Sequence, residues 1–126
     1  MQIALTVRLP ADKKAPSLAR KALEALNGEL EGVREPARLL VSEVVTNSVR
    51  HAGLGPEDKI ELEVSAAPST VRVEVADPGP GFEPPKERPR GVEGGFGLFF
   101  VDELADRWGT FGGRVWFELD RPPPAP

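Results

Sequence analysis

No cysteine occurs in the 126 residues, and histidine occurs only once. The first absence excludes disulfide stapling, thiol catalysis and thiol redox chemistry. Together the two leave a zinc site without its usual ligands. Oxygen coordination of a magnesium ion shared with a phosphate stays open. No apolar run approaches the roughly 18 residues of a membrane span, so no membrane association is expected. The first residues, MQIALTVRLPADKK, lack the basic start and small-residue cleavage site of a secretion signal, and the expected location is the cytoplasm. Neither G-x-x-x-x-G-K-[ST] nor G-x-G-x-x-G is present, so a bound nucleotide would need another architecture. An excess of basic residues is missing too. The formal net charge of −4 argues against general nucleic-acid binding through phosphate neutralisation, and the cluster KERPR, Lys86 to Arg90, reads as a solvated one.

What is present is an ordinary globular mixture, 40% hydrophobic and 29% charged, in a chain long enough to bury one core unaided. Gln2 to Pro10 alternates apolar and polar residues as a half-buried strand does. Asp12 is the expected cap of a first helix with Leu18, Ala22, Leu23 and Leu26 at helical spacing, stopped by Asn27-Gly28. REPARLLVSEVVTNSVRHAG reads as a second helix starting at Arg34, with Pro36 in its first turn and Gly53 beyond its end. KIELEVSAA and TVRVEVAD, separated by Pro68-Ser69, predict an antiparallel strand pair. FGLFFVDELADRWG predicts a third helix from Phe96 to Gly109, and RVWFELD a last strand. Residues 1–120 are expected to form a single domain, and RPPPAP, residues 121–126, a disordered proline-rich tail. Strands in adjacent runs, without strict strand–helix alternation, predict an α+β class: a two-layer sandwich with helices on one face of a mixed, mostly antiparallel sheet.

At about 100° per residue on the second helix, Ala37, Leu40, Val41, Val44 and Val45 share one arc. Glu43, Asn47 and Arg50 group at the edge of that arc, with His51 nearby. Polar groups bordering an apolar face need partners, since an unsatisfied one costs about 1–3 kcal/mol. Two readings stand. Glu43 and Arg50 form a solvated pair with His51 complementing the helix dipole, or Asn47 offers its oxygen to Mg²⁺ while Glu43, one turn earlier, acts as a general base.

Asp77 stands at a strand end with Gly79 and Gly81 directly after it. Such a carboxylate beside bare backbone can accept a hydrogen bond from an exocyclic amine like that of adenine. Asp-Pro-Gly is also common turn chemistry, but the polar, proline-broken segment that follows is no hairpin partner. Gly94, Gly95 and Gly97 then lead straight into the third helix. Glycines at a helix start free backbone N–H groups for an anion, or simply allow a tight loop-to-helix entry.

In order, three elements resemble a known family. E43-V-V-T-N47-S-V-R-H51 looks like the N box of the Bergerat-fold (GHKL) ATPases, D77-P-G79-P-G81 like their D-x-G-x-G box, and G95-F-G97-L98 like their G-x-G box. The resemblance spans nearly the whole chain. Its compact size is similar to the small anti-sigma-factor serine kinases of bacterial partner switching, members of the histidine-kinase-like ATPase branch. That resemblance implies ATP and Mg²⁺ as cofactors, with Asn47 as metal ligand and Glu43 as catalytic base. It implies that Asp77 contacts the adenine amine, that Gly79 and Gly81 shape the adenine pocket, and that Gly95 and Gly97 hold phosphate. Arg50, His51, Phe96 and Leu98 belong to the same nucleotide-binding boxes, and His51, inside the N box, is not a phosphoacceptor. Residues from about Phe82 to Gly94 would form a lid over the triphosphate. The implied reaction moves the γ-phosphoryl of ATP to a serine on a STAS-type anti-anti-sigma protein, with a sigma factor as second partner and a homodimer as the assembly. Two departures are visible. Glu93 stands where some of these kinases carry arginine, with Arg88 and Arg90 as other sources of positive charge, and Ser48 stands where alanine is frequent. The alternative is a non-catalytic protein-binding module that works with nucleotide or without it.

Overall fold

Period-two alternation fixes one buried face on each long strand. In the computed structural model, which describes residues 1–26, 28–51, 53–79 and 96–122 with the side chains at 51, 96 and 97 excepted, that face is continuous across a sheet. Leu9, Ile60, Leu62, Val64, Val71, Val73, Val75, Val115, Phe117 and Leu119 all point to it and are buried. Among the described residues the strands are β1 (Gln2–Pro10), β2 (Lys59–Ala66), β3 (Thr70–Ala76), β4 (Arg107–Phe111) and β5 (Arg114–Asp120). They pair in the order β1-β2-β3-β5-β4, every pair antiparallel. β2 and β3 are joined by a tight turn through Pro68-Ser69, closed by the Ala67 N–H donating to the Thr70 carbonyl at 2.8 Å.

The helices cover that apolar face. They are α1 (Ala15–Leu23), α2 (Arg34–His51) and α3 (Phe96–Leu104), with a short 3-10 turn at Gly28–Leu30. α2 lies between the other two and buries the expected arc: Ala37, Leu40, Val41, Val44 and Val45 are at most 1% exposed. α3 adds Leu98 and Val101. Helices on one face of a fully antiparallel sheet make the expected two-layer α+β sandwich. Among the described residues, no helix is long and apolar enough to cross a membrane.

Three local expectations are corrected. The third helix ends at Leu104, and Arg107–Phe111 is instead the edge strand β4. Tertiary partners override local propensity here. Trp108 pairs opposite the buried Phe117, and the Gly109 backbone lies so close beneath Trp116 that a Cβ there would come within 2.8 Å of its Nε1. On α1 the buried residues are Ala15, Ala19 and Leu23, while Leu18 is 39% exposed and Ala22 only half-buried. The helix begins at Ala15 with Pro16 in its first turn and ends before the expected stop; the expected Leu23 and Leu26 are buried, but Ala15 and Ala19 take the inward positions expected of Leu18 and Ala22. Asp12 is not the cap; its Oδ1 accepts the Lys14 N–H at 2.8 Å in the turn before the helix.

The outer face of the sheet carries an ionic ladder in place of helices. Arg72 pairs with Glu118 at 3.0 Å and stacks 4.3 Å over the Trp116 ring. Arg107 reaches both Glu118, at 2.7 Å, and Asp120. The hydrogen bonds from Arg107 hold the Glu118 carboxyl below its ordinary value, against the opposing effect of burial. Asp120 is lowered by Arg107 and then Thr70, while Arg107 is raised by Asp120 and then Glu118. The segment after β5 starts with two anchored residues. Arg121 donates to the carbonyls of Gly28, Glu29, Glu31 and Ala67, and Pro122 packs against Gly32. Residues 123–126 lie outside the described part.

Candidate functional site

Topology brings the described parts of the three sequence motifs to one end of the sheet. β3 finishes at Ala76, beside Glu61 near the start of β2 and Arg114 at the start of β5. Asp77 follows at that end. α2 runs toward the same end, because only a short connection separates His51 from Lys59, where β2 begins. α3 hands over to β4 at Arg107, opposite Glu118 in the far half of β5. The start of α3 is therefore directed back toward Asp77, over about 13 Å of helix.

On α2 the inward arc ends in polar residues. Asn47 is 7% exposed and Ser48 2%, the two buried polar residues of the described part. Glu43, one turn before Asn47, is half-buried, and Arg50 is exposed at the helix end. The Asn47 amide has no hydrogen-bond partner among the described residues, yet it is not sealed. Arg38 Nε is the one side-chain nitrogen or oxygen there that lacks both solvent and partner. A buried amide that keeps some access to solvent is suited to a ligand that brings its own polar atoms.

At the strand end, Asp77 is fixed on both sides. Its N–H donates to the Gly113 carbonyl at 2.9 Å, and its Oδ1 accepts the Gly79 N–H at 2.9 Å. Oδ2 has no partner among the described residues. This local turn holds a half-buried carboxylate with one oxygen committed and the other available as an acceptor. Gly97 lies in the first turn of α3. Leu98 is 5% exposed and packs in the core, so its side chain anchors that turn. Gly81, Gly95, the expected lid from Phe82 to Gly94 with Arg88, Arg90 and Glu93, and the side chains of His51 and Phe96 lie outside the described residues.

Among the described residues no group of three or more His, Cys, Asp or Glu side chains is placed to hold a metal ion. A single amide oxygen at Asn47 does fit Mg²⁺ that arrives with phosphate, since that ion usually keeps water and phosphate oxygens as most of its ligands. Sequence reasoning missed Gly113. The Gly112-Gly113 pair between two short runs was the available signal of a hairpin, but its contact with Asp77 is tertiary.

A one-sided α+β sandwich with a buried asparagine, a strand-end aspartate and a helix start gathered at one sheet end belongs to the Bergerat class of ATPase domains. Residues 9–114 match the family described as "Histidine kinase-like ATPase domain". The chain is 33% identical, over a 119-residue alignment, to "Serine-protein kinase RsbW" of Listeria innocua serovar 6a, covering 81% of this chain and 75% of that one. It is 32% identical, with the same coverage, to the protein of that name from Listeria monocytogenes serotype 4a. This chain belongs to the histidine kinase-like ATPase family, in the branch of the small anti-sigma-factor serine kinases.

Proposed function

We propose that the chain is an ATP-dependent protein serine kinase of the anti-sigma type. It phosphorylates a STAS-type anti-anti-sigma protein and, in the alternative partner state, holds a sigma factor, working as a cytoplasmic homodimer. The observation that carries this reading is the buried Asn47 amide, unpartnered among the described residues, one turn after Glu43 and at the same sheet end as Asp77. Kinship with relatives named as serine-protein kinases supports it.

In this reading Asp77 Oδ2 accepts a hydrogen bond from the adenine amine, while Oδ1 stays bound to the Gly79 N–H and keeps the carboxylate from turning. Gly79, and Gly81 by the motif it belongs to, would leave room for the base. Gly97 at the start of α3, with Gly95 just before it in sequence, would offer backbone N–H groups to phosphate, and Leu98 fixes that start against the core. Asn47 would hold Mg²⁺ through its amide oxygen, and the ion, when bound, would neutralise charge on the phosphates. Glu43 takes the proton of the attacking serine hydroxyl as its oxygen bonds to the γ-phosphorus and ADP leaves with the broken bond's electrons. Arg50 and His51 lie at the helix end nearest the phosphates. Little acid–base chemistry is needed, because phosphoryl transfer rests chiefly on positioning and charge stabilisation.

Glu93, in place of a lid arginine, favours a second reading in which the chain binds nucleotide and regulates by contact alone. Incubation with γ-labelled ATP, Mg²⁺ and a cognate STAS-domain protein separates the two. The kinase reading expects label on the partner serine, with Glu43→Ala slowing transfer by about 10²-fold or more. Label transfer that is equal in the two proteins removes Glu43 as base. Nucleotide binding without transfer selects the contact-only module.

A further inference from the structure

Gly113 lies between Gly112 and the first residue of β5, outside the left-handed backbone region. Its φ alone does not require glycine. What forbids a side chain is space. A Cβ at 113 would fall far inside contact distance of the Asp77 carbonyl oxygen, 3.0 Å from the Gly79 carbonyl oxygen and 3.3 Å from Asp77 Oδ1. Two of those three neighbours are backbone atoms, which cannot swing aside as a flexible side chain does. The Gly113 carbonyl accepts the Asp77 N–H at 2.9 Å. The β4–β5 hairpin thus touches the carboxylate-bearing turn at its carbonyls, its amide and its committed oxygen.

We propose that Gly113 is a positioning residue for nucleobase recognition: the hairpin backbone, able to approach only because residue 113 lacks a Cβ, sets the Asp77 carboxylate. The proposal rests on the reading of Asp77 as the contact for an exocyclic amine. A carboxylate set in this way accepts from the amine of adenine and is mismatched to guanine, which presents a carbonyl oxygen at that position. Moving the Asp77–Gly79 turn far enough to clear a Cβ at 113 would disturb Oδ1, its Gly79 N–H bond and the aim of Oδ2 together. Base selectivity would then be lost along with affinity.

Gly112 provides the internal control. It sits in the same hairpin at φ 57°, and a Cβ there would meet nothing within 4 Å, so Gly112→Ala strains the hairpin without placing an atom near Asp77. Mg·ATP and Mg·GTP affinities are measured by calorimetry for wild type, Gly113→Ala, Gly112→Ala and Asp77→Asn, with melting temperatures taken without nucleotide. Gly113→Ala is expected to weaken ATP binding by about tenfold or more, the loss that accompanies a disrupted hydrogen bond to a charged group. Its ATP-over-GTP preference falls similarly. Gly112→Ala lowers the melting temperature and keeps both the ATP affinity and the preference.

A folded Gly113→Ala protein that binds ATP with wild-type affinity and selectivity overturns the proposal. Should that variant not fold, amide exchange on the wild-type chain decides. Mg·ATP is expected to slow exchange of the Asp77 N–H, whose acceptor is Gly113, because coupling between the two contacts is reciprocal. The Asp106 N–H, bonded to Glu118 at 2.9 Å in the far half of β5, should be unchanged. An Asp77 rate that nucleotide does not alter overturns the proposal. If Asp77→Asn itself binds ATP as wild type does, the Asp77 reading fails and takes the Gly113 role with it, a result distinct from failure at Gly113 alone.

Discussion

Replacing Asn47 by leucine should make the nucleotide-free protein more stable and the nucleotide-bound protein no more stable than the free one. Asn47 is 7% exposed, flanked on α2 by Val44, Val45 and Ser48, and its amide has no partner among the described residues. Burying such a group without compensation costs about 1–3 kcal/mol, and an apolar side chain of similar volume removes that cost. The amide retains an opening to solvent, so the lower end of that range applies, about 1 kcal/mol. For a domain of this size that corresponds to a rise in melting temperature of about 3–5 °C. With nucleotide the order reverses. Ligand at a hundred times its dissociation constant adds about 2.7 kcal/mol to a protein that binds it, a shift near 10 °C for wild type. Asn47→Leu loses the metal-ligating oxygen and should lose most of that shift. Scanning fluorimetry of both proteins, with and without Mg·ATP, measures all four temperatures. An Asn47→Leu melting temperature below wild type in the absence of nucleotide would refute the reasoning, because it would mean that the amide is already satisfied within the fold.

Acid should weaken the outer-face ladder in a defined window. Glu118 and Asp120 are both held below their ordinary values of 4.5 and 3.8, chiefly by Arg107. Their contribution is therefore complete above the unfolded values and lost as pH falls through the lower folded ones. Urea midpoints measured from pH 6 down to pH 2 should fall less steeply for Arg107→Gln than for wild type; identical slopes would remove the ladder as the cause. Phe117, fully buried at the centre of the core, should cost about 3–5 kcal/mol as Phe117→Ala, read as a lower urea midpoint. Gly109→Ala forces the Trp116 ring from its seat over the β4 backbone, at a cost of about 1–3 kcal/mol. An altered tryptophan emission spectrum would report the displacement.

The elements that could be read locally are those whose pattern and packing agree. β2 and β3 alternate up to a final alanine between buried valine, leucine or isoleucine and polar residues, and α2 holds its apolar arc for several turns. Their ends matched the sequence reading because Pro68-Ser69 and the residues after Ala76 close them. β4 could not be read this way. Its five residues follow a helical run without a breaker, and Trp108 and Thr110 face inward only because β5 supplies partners. At the first helix the expected Leu23 and Leu26 are buried, but Leu18 stays exposed although leucine outweighs alanine on any hydrophobic scale, and the small Ala15 and Ala19 take the other core positions. For the site, helical spacing alone placed Glu43 and Asn47 at the edge of a buried face, and Asn47 proved one of two buried polar residues there. Asp77 was marked by its place at a strand end. Its lock by Gly79 and Gly113 depends on a hairpin far along the chain, and no local pattern encodes that contact.

The central claim is that Asn47 and Asp77 belong to one ATP site. Calorimetric titration of the purified chain with ATP, with and without Mg²⁺, tests it most directly when repeated on Asp77→Asn and Asn47→Leu. The expected result is one ATP per chain, preferred over GTP, with Asp77→Asn erasing the preference and Asn47→Leu erasing the dependence on Mg²⁺. No binding by the wild-type chain, or equal binding by all three proteins, would contradict it.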